Sequence, residues 1–460
     1  MSGAREREQS LRAGTKFKGD EMNQILEPGQ TIRAEASGMD CTVGQFLGAG
    51  GQGEVYRADL GGKPVAVKWF FPNIATSQLR SSIETLTKTG PPNEKFLWPL
   101  DMLLAPGVPG FGYIMPLRPP GFKGIVDLMK RRIEPSFRSL ATAGLELSHS
   151  YLQLHSKGFC YRDISFGNAF FDPDTGDIRI GDNDNVAVDA QAKSSVLGTP
   201  RFMAPEIVRG EALPSTQTDL FSLSVLLFYM LMVHHPLEGK KELSIKCLDL
   251  PAMTRLYGTE PVFIFDPQDR SNEPVPGYHD NALAFWPIYP QFLRDLFTRA
   301  FTDGIRDPQH GRVRESEWRA ACARLRDSIV YCASCGMENF YDPDVLKQSG
   351  QAGSCWSCKS ALRLPPRIRI DRNVVMLNYD TKLFPHHVDE QRLYDFSHPV
   401  AEVVRHPSNP SIWGLKNLSQ VKWVTTSAEG AVKDVEPGRS LTIAVGTRVN
   451  FGEAEGEIRS

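Results

Sequence analysis

The sequence predicts an α+β chain whose strands and helices are segregated along its length. Short alternating apolar runs divided by glycine turns occupy residues 41–115, and apolar residues recur at helical spacing from about residue 125. Short alternating runs return in residues 368–458, after four cysteines in two C-x-x-C pairs. We therefore expect a strand-rich part, a helical part, a cysteine unit and a final all-β part.

Length and composition narrow the class of protein. A chain of 460 residues is long enough for two to four domains, and a formal net charge of −2 leaves no basic footprint for nucleic acid. The first twenty residues are charged and lack an apolar core, so we expect no signal peptide. The longest apolar run, residues 220–233, is too short to span a bilayer and predicts a buried helix. We expect a cytoplasmic chain with neither a nucleic-acid nor a membrane partner, beginning with a flexible tail over residues 1–35.

A glycine-rich segment follows the first predicted strand. Gly48, Gly50 and Gly53 fit G-x-G-x-x-G, in which missing β-carbons let backbone amides approach phosphates, and Val55 follows two residues later. Rossmann folds share this spacing but continue directly into a helix. Here the chain continues as a strand, and a Gly-Gly turn leads to another strand near whose end Lys68 lies. This order favours a phosphate-binding hairpin with a lysine beside it.

A lysine in this position needs an anion to orient it. Apolar residues at helical spacing predict a helix over residues 78–86, in which Glu84 is the only carboxylate. We predict that Glu84 pairs with Lys68. The alternatives are a solvated Glu84 and a surface Lys68 on an edge strand.

A polar segment at residues 161–168 places a carboxylate, Asp163, five residues before an amide, Asn168. The next residues predict a hairpin that brings Asp182 back beside Asn168. Two such oxygen ligands suit Mg²⁺, which completes its shell with substrate phosphates. A register shift would make Asp184 the ligand instead. We prefer Asp182 because it directly follows the predicted strand and Gly181.

These segments, taken in order, resemble the protein kinase family. The glycine loop precedes Val65-Ala66-Val67-Lys68, the catalytic segment follows a helical stretch, and residues 198–206 read Gly-Thr-Pro-Arg-Phe-Met-Ala-Pro-Glu. The resemblance implies a two-lobed protein-kinase fold with bound ATP and Mg²⁺, and protein serine/threonine kinase activity. It covers about 270 residues.

The resemblance also implies individual roles. Asp163 would orient and deprotonate the acceptor hydroxyl, and Lys68 would hold the α and β phosphates of ATP. Met115 would line the back of the adenine pocket and the backbone of Pro116 and Leu117 would face the purine, although Met115 is also compatible with plain core packing. Asp219 would brace the backbone of the catalytic loop. The remaining implied pairs are Arg312 with Glu206, and Arg162 with a phosphate on Ser194, Ser195 or Thr199.

Two departures from the family pattern bear on activity. Asp182-Asn183-Asp184 stands where most kinases have Asp-Phe-Gly, and Ser165 occupies the usual position of a lysine on the γ-phosphate. The missing lysine keeps open an ATP-binding pseudokinase that acts as a scaffold. A small-molecule kinase is less favoured, because residues 198–206 resemble a segment that docks peptides.

The departures themselves resemble a bacterial kinase family associated with tellurite-resistance-type stress loci. That resemblance implies two partners from the same locus, a von Willebrand A-type protein and a metal-dependent phosphatase.

Cys332, Cys335, Cys355 and Cys358 form two C-x-x-C knuckles separated by nineteen residues. In a chain without a signal peptide this spacing predicts a structural Zn²⁺ site, a zinc ribbon, with a redox pair as the alternative. The following strands predict a small antiparallel β-sandwich. Its Gly414-to-Ser419 segment with Trp423 resembles the later half of a forkhead-associated (FHA) domain. The phosphothreonine-reading residues are not evident, which favours protein docking over phosphopeptide recognition.

The predicted domain boundaries follow from these segments. A tail over 1–35 precedes a kinase domain over 36–328, which divides into an N-lobe over 40–117 and a C-lobe over 118–328. The zinc ribbon covers 329–364 and the FHA-like sandwich covers 365–460.

Overall fold

The computed structural model describes residues 24–189 and 197–460. The chain divides into two compact units, the first made of residues 24–91 and 97–118, and the second of residues 92–96 and 119–460. Among the described residues, every helix is too short or too polar to cross a bilayer.

The first unit is a closed antiparallel barrel with one long helix. Strand order in the barrel is β1-β2-β3-β4-β6-β5. Helix α1 (Ser77–Thr89) is capped by Thr76, whose side chain accepts from the backbone N–H of Leu79, and it buries Ile83 and Leu86. The barrel strands are β1 (Thr31–Ala34), β2 (Asp40–Ala49), β3 (Gly53–Leu60), β4 (Lys63–Phe70), β5 (Asp101–Leu104) and β6 (Gly112–Pro116).

The predicted tail over residues 1–35 is wrong at its C-terminal end. Strand β1 pairs with both β2 and β5 and so closes the barrel. Leu26 is fully buried and its N–H donates to the hydroxyl of Tyr56 at 3.1 Å. Only Ile32 and Ala34 alternate inward on β1, which is too short a pattern to recognise in a polar segment. The rest of the predicted tail, residues 1–23, lies outside the described residues.

The second unit begins with a helical part built around one fully buried helix. Every residue of α5 from Thr218 to Met232 is buried, as the long apolar run predicts. The helices of this part are α2 (Ile125–Met129), α3 (Phe137–Ser156), α4 (Pro205–Val208), α5 (Thr216–Met232), α6 (Lys240–Leu243), α7 (Leu250–Thr254), α8 (Asp280–Phe285), α9 (Gln291–Phe301), α10 (Asp303–Arg306) and α11 (Glu315–Asp327).

Short strands in the same part carry the catalytic segment. The predicted hairpin is confirmed, since Ala169 pairs with Ile180 and Phe171 with Ile178 in antiparallel register. These strands are β7 (Lys123–Gly124), β8 (Phe159–Cys160), β9 (Ala169–Phe171), β10 (Ile178–Ile180) and β11 (Ala187–Val188).

The cysteine unit follows α11 directly and packs on the start of α3. Strands β12 (Ile329–Tyr331) and β13 (Glu338–Phe340) pair antiparallel, and α12 (Pro343–Ser349) leads to the second knuckle. The Phe137 ring lies 5.1 Å from Phe340 and 6.1 Å from Trp356, centroid to centroid. The Glu338 carboxylate accepts the backbone N–H groups of Phe137 and Arg138, so it satisfies two of the unpaired donors at the start of α3.

The last 95 or so residues form two antiparallel sheets around one shared core, as the alternating runs predict. The six-stranded sheet has the order β15-β14-β23-β22-β19-β20 and the four-stranded sheet β16-β17-β18-β21. Buried residues from both sheets, including Ile368, Leu415 and Trp423, form one cluster. The strands are β14 (Arg367–Ile370), β15 (Asn373–Met376), β16 (Lys382–Leu383), β17 (Ala401–His406), β18 (Asn409–Asn417), β19 (Trp423–Thr426), β20 (Val432–Val435), β21 (Ser440–Thr442), β22 (Arg448–Asn450) and β23 (Glu455–Arg459), and a short helix α13 (Pro385–Val388) follows β16.

Candidate active site

The three motif glycines of the first unit have different surroundings. A Cβ on Gly53 would lie 2.1 Å from the carbonyl oxygen of Trp69, so this glycine is required by the close approach of β4. A Cβ on Gly48 or Gly50 would meet no atom within 4 Å. The loop closes on itself through the N–H of Gly50, which donates to the carbonyl of Gly53 at 2.9 Å. Gly48 and Gly50 therefore leave open space of the kind that a phosphate cradle needs.

The predicted nucleotide-binding residues of the first unit lie on neighbouring strands. Lys68 is 5% exposed and pairs with Val55 across β3 and β4. Met115 pairs with Ala66 across β4 and β6, and Val55 and Leu117 pack against the same apolar cluster. Ala66 lies in the same apolar cluster as Met115, although the sequence motif alone does not predict a role for it. Its signal was its place in Val-Ala-Val-Lys, two residues before the lysine and therefore on the same face of the strand.

Glu84, the predicted partner of Lys68, lies on α1 and is partly exposed. Its carboxylate accepts from Arg80 Nε at 2.9 Å in an i,i+4 pair, and its side chain is 38% exposed. The other acid of Arg80 is Glu35. The Lys68–Glu84 pair stays a prediction.

In the second unit, the carboxylate of Asp163 is held on both sides. Its Oδ1 accepts from the backbone N–H of Thr199 at 2.9 Å and from the Thr199 hydroxyl at 2.8 Å. Its Oδ2 accepts from Asn168 Nδ2 at 3.0 Å. Burial raises the pKa of Asp163, and the bonds from Thr199 and Asn168 oppose that rise. The result is an oriented, half-buried carboxylate that can accept a proton.

The hairpin brings the two predicted Mg²⁺ ligands to its base. The N–H of Gly181 donates to the carbonyl of Asn168 at 2.8 Å, which places Asp182 next to the catalytic segment. Asn168 Nδ2 also donates to the Asp163 carbonyl at 2.8 Å, so the Asn168 Oδ1 atom has no protein donor among the residues described. Asp182 adopts a left-handed φ of 44°. An amide oxygen and a carboxylate at this place fit the oxygen preference of Mg²⁺.

The two residues after Asp182 are buried despite their polarity. Asn183 is fully buried; its Nδ2 donates to the carbonyl of Ile180 at 2.9 Å, and its Oδ1 lacks a hydrogen-bond partner in the described part of the chain. Asp184 is 3% exposed. Asn183 is therefore bound to β10 by a hydrogen bond. A phenylalanine at this position would make only apolar contacts.

A buried network of hydrogen bonds holds the backbone of the catalytic segment. Asp219, at the start of α5, accepts the backbone N–H groups of Tyr161 and Arg162, the latter at 3.0 Å, which confirms the predicted bracing role. Asp219 also lies 3.1 Å from His155 Nε2, and His155 Nδ1 contacts Glu315. The sequence gives no signal for the His155–Glu315 pair, because the two residues are 160 positions apart.

The segment that ends at Glu206 is anchored as its resemblance implies. Arg312 Nη2 lies 2.6 Å from Glu206 Oε1, and both side chains are buried. Arg162 donates through its Nε to the carbonyl of Asn185. The Thr199 hydroxyl donates to Asp163 at 2.8 Å, and the pairing of a Thr199 phosphate with Arg162 stays a prediction. The other two predicted phosphorylation sites, Ser194 and Ser195, lie outside the described residues.

The four cysteines of the C-x-x-C pairs converge in the second unit. Their Sγ atoms all lie within 4.8 Å of one another, with Cys332 to Cys358 at 3.6 Å and Cys335 to Cys355 at 3.7 Å, and all four are free thiols. The two knuckles have matching backbones, since Gly336 and Lys359, each four residues after the first cysteine of its pair, have φ of 75° and 63°. Hydrogen bonds from Ser360 lower the pKa of Cys358 to about 6. This is the donor set of a tetrahedral metal site.

Comparisons with known proteins agree with this geometry. Residues 126–282 match the family model of the protein kinase domain. The DNA damage-responsive serine/threonine-protein kinase RqkA of Deinococcus radiodurans is 31% identical over 210 residues, which cover 44% of this chain and 31% of that kinase. The cell cycle serine/threonine-protein kinase CDC5/MSD2 of Saccharomyces cerevisiae is 31% identical over 136 residues, 27% of this chain and 19% of the relative. Protein kinase C delta type of Mus musculus is 40% identical over 93 residues, 19% of this chain and 13% of the relative.

The chain thus spans less than a third of the length of these relatives. Its matched part contains Asp163, Asn168, Asp182, Glu206 and Asp219, whose contacts are described above. Residues 126–282 are therefore similar in sequence to the protein kinase domain, and the relatives that match this part of the chain include serine/threonine kinases.

Proposed function

We propose that this chain is an ATP-dependent protein serine/threonine kinase that transfers the γ-phosphate to protein hydroxyl groups. The observation that carries the proposal is the setting of Asp163. Its carboxylate is fixed by Thr199 and Asn168, and the backbone beside it is fixed by Asp219. A carboxylate held in this way, in a domain similar to protein kinases, is suited to orient an acceptor hydroxyl and accept its proton.

The other residues would act on ATP. Lys68, oriented by Glu84, would hold the α and β phosphates, while backbone amides of the Gly48–Gly53 loop would cover them. Ala66, Val55, Met115 and Leu117 would receive the purine. Asn168 and Asp182 would hold Mg²⁺, whose chemistry is to neutralise phosphate charge. Most of the rate enhancement would then come from positioning and charge neutralisation.

One observation favours a second candidate, an ATP-binding pseudokinase that acts as a scaffold. Ser165, at the usual place of a lysine on the γ-phosphate, is 4% exposed, so its short side chain is enclosed by protein. The retained carboxylates and Asn168 oppose this reading, because a scaffold has no need of an oriented base.

Labelled ATP with Mg²⁺ separates the two candidates. The wild-type chain should label itself or dephosphorylated casein, and Asp163→Ala should lose about 10²–10⁴-fold of that rate because the base is gone. Asp174→Ala, on the exposed turn of the β9–β10 hairpin, is the matched control and should keep full activity. Binding of ATP without any labelled product in the wild type would establish the pseudokinase.

We also infer roles for the C-terminal parts. The four cysteines would hold a structural Zn²⁺ as a zinc ribbon, and the two-sheet part would be an FHA-like sandwich that docks protein partners. The family resemblance in the sequence suggests a von Willebrand A-type protein and a metal-dependent phosphatase as those partners. Affinity purification of the full chain and of a chain ending at residue 364 tests this. If the full chain and the chain ending at residue 364 recover the same partners, the sandwich does not dock them.

A further inference from the structure

A second group of side chains with metal-ligating chemistry lies away from the cysteines. Asp327, His386 and His387 each place one ligand-type atom within 4.8 Å of the others. Asp327 is the last residue of α11, and the two histidines lie on α13, where they are 5% and 3% exposed. Carboxylate and imidazole in this proximity are typical of zinc sites, so the hydrogen bonds of the rings decide what the group can bind.

Both histidines use the Nδ1 atom to accept a backbone N–H. Phe384 donates to His387 Nδ1 at 2.8 Å, and Tyr394 donates to His386 Nδ1 at 2.9 Å. A nitrogen that accepts a hydrogen bond carries no hydrogen, so the hydrogen of each neutral ring is on Nε2. His387 Nε2 donates to both oxygens of Asp327, at 3.2 and 3.3 Å. The inward nitrogens are therefore donors with no lone pair for a cation.

His386 is left with one donor that the protein does not use. Among residues 24–189 and 197–460 no acceptor bonds its Nε2 atom, and the residue as a whole is 5% exposed. Burial and the neighbouring His387 lower the pKa of His386 to about 4, so the ring is neutral. The Nε2 atom is not among the fully buried unpaired polar atoms of the described residues, so it is open to a ligand that can accept its hydrogen.

The ring of His386 lines a cavity of about 330 Å³. Arg324 and Arg372 line it too, and Asp327, its only acidic lining residue, is already paired with His387. The rest of the wall is mixed, with hydroxyl and amide groups beside small apolar side chains, from Ser328, Tyr341, Asn373, Ala320, Ala323 and Val374. A volume of this size is at the lower end of small-ligand pockets.

We propose that this cavity binds a small organic phosphate, with the phosphate group held by Arg324, Arg372 and His386 Nε2. Guanidinium groups recognise phosphate oxygens in pairs, and three donor groups match three terminal oxygens. The small apolar side chains leave room for the ester part. The ligand would touch the end of α11, the cysteine unit through Tyr341, and the β14–β15 turn that carries Arg372. It would therefore join three successive parts of the second unit.

Calorimetric titration of the full chain with adenosine 5′-monophosphate, inorganic phosphate and adenosine tests the proposal. Lys68→Met serves as background in every titration, because it weakens binding at the proposed ATP site. We expect the monophosphate and inorganic phosphate to bind and adenosine to bind at least tenfold more weakly. Arg372→Gln, Arg324→Gln and His386→Phe should each weaken monophosphate binding about tenfold or more.

Arg363→Gln is the matched control, because Arg363 is an exposed arginine outside the lining residues. Equal affinity in Arg372→Gln and Arg363→Gln, or binding of adenosine as tight as that of the monophosphate, would overturn the proposal. Because the two arginines are exposed, their variants should fold even if His386→Phe does not. Nitrogen-15 spectra of the histidines give an independent readout. Loss of the hydrogen on His386 Nε2 when Zn²⁺ is added would show a metal site and refute the phosphate assignment.

Discussion

The two ends of helix α11 each place a carboxylate against a buried histidine. At its start, Glu315 contacts His155 Nδ1, while Asp219 lies 3.1 Å from Nε2 of the same ring. At its end, Asp327 accepts from His387 Nε2. Residue types and burial are alike at the two ends, yet His155 is charged whereas His386 is neutral.

The difference lies in what the second ring nitrogen meets. Burial lowers the pKa of His155, but its bonds to Asp219 and Glu315 outweigh burial and raise the pKa to about 9. At the other end both rings accept a backbone N–H at Nδ1, and burial lowers the pKa of His386 to about 4. Burial alone therefore does not determine the charge of a histidine; the partner of each nitrogen does.

The charged end supports the proposed chemistry, because Asp219 also holds the backbone beside Asp163. The end of α11 at Asp327, beside His386 and His387, lies where the helical part meets the cysteine unit and the two-sheet part. The same comparison separates the two groups that resemble metal sites. The cysteines place four sulfur atoms together in matching knuckles, whereas His387 presents an N–H group to Asp327.

The largest expected effect is loss of the proposed Zn²⁺ from the cysteine unit. Cys335→Ser should lower the zinc content from one ion per chain to near zero and unfold the cysteine unit, because a unit this small depends on metal binding for several kcal/mol of its folding free energy. His387→Gln should leave zinc content at one ion per chain. Elemental analysis of both purified variants checks this. An equal loss of zinc from Cys335→Ser and His387→Gln would mean that His387 also contributes to metal binding.

The next effect compares the loss of stability when Asp219 or Asp327, the carboxylates beside the two histidines, is removed. Asp219→Ala should cost about 3–5 kcal/mol, because it removes one of the two carboxylates that balance the buried charge on His155 and leaves two backbone N–H groups without their acceptor. Asp327→Ala should cost about 1–3 kcal/mol, since only a neutral N–H loses its acceptor. Urea unfolding followed by fluorescence gives both values. A larger cost for Asp327→Ala would reverse the comparison.

The two ends should also respond to pH in opposite directions. The stability from protonated His155 is fully present below its unfolded pKa of 6.5 and is lost as pH rises through about 9. The stability from neutral His386 is present above 6.5 and is lost as pH falls through about 4. Each change should reach at most about 3 kcal/mol. Thermal unfolding from pH 4 to 9 should show the alkaline loss in wild type and not in His155→Gln.

The smallest expected effect tests the helix that carries His155. Glu338, in the cysteine unit, accepts two N–H groups at the start of α3, and His155 lies in the last turn of that helix. Glu338→Leu should cost about 1 kcal/mol, as for the loss of a helix cap. Ser136→Ala, which removes the other cap of α3, is the comparison variant. The urea midpoints of unfolding of Glu338→Leu, Ser136→Ala and the double variant measure the stability that each cap contributes.

Local patterns in the sequence predicted much of this structure. The glycine loop, the β9–β10 hairpin, the buried α5 and the convergence of the cysteines follow from short motifs or from spacing. The Arg312–Glu206 pair was implied by the resemblance to protein kinases. One prediction was wrong, namely that the tail extends to residue 35, because β1 and Leu26 are part of the barrel. Contacts with residues distant in the sequence decide that outcome.

The amino-acid order by itself determined the strand and helix periods, the glycine positions and the thiol pairs, because these depend on neighbours within a few residues. Only the tertiary structure decided that His155 is charged while His386 is neutral, and that a cavity with an unused N–H lies at the end of α11. The physical reason is that a side chain's charge and hydrogen bonds depend on the atoms packed around it. For these histidines some of those atoms belong to residues as far as 160 positions away.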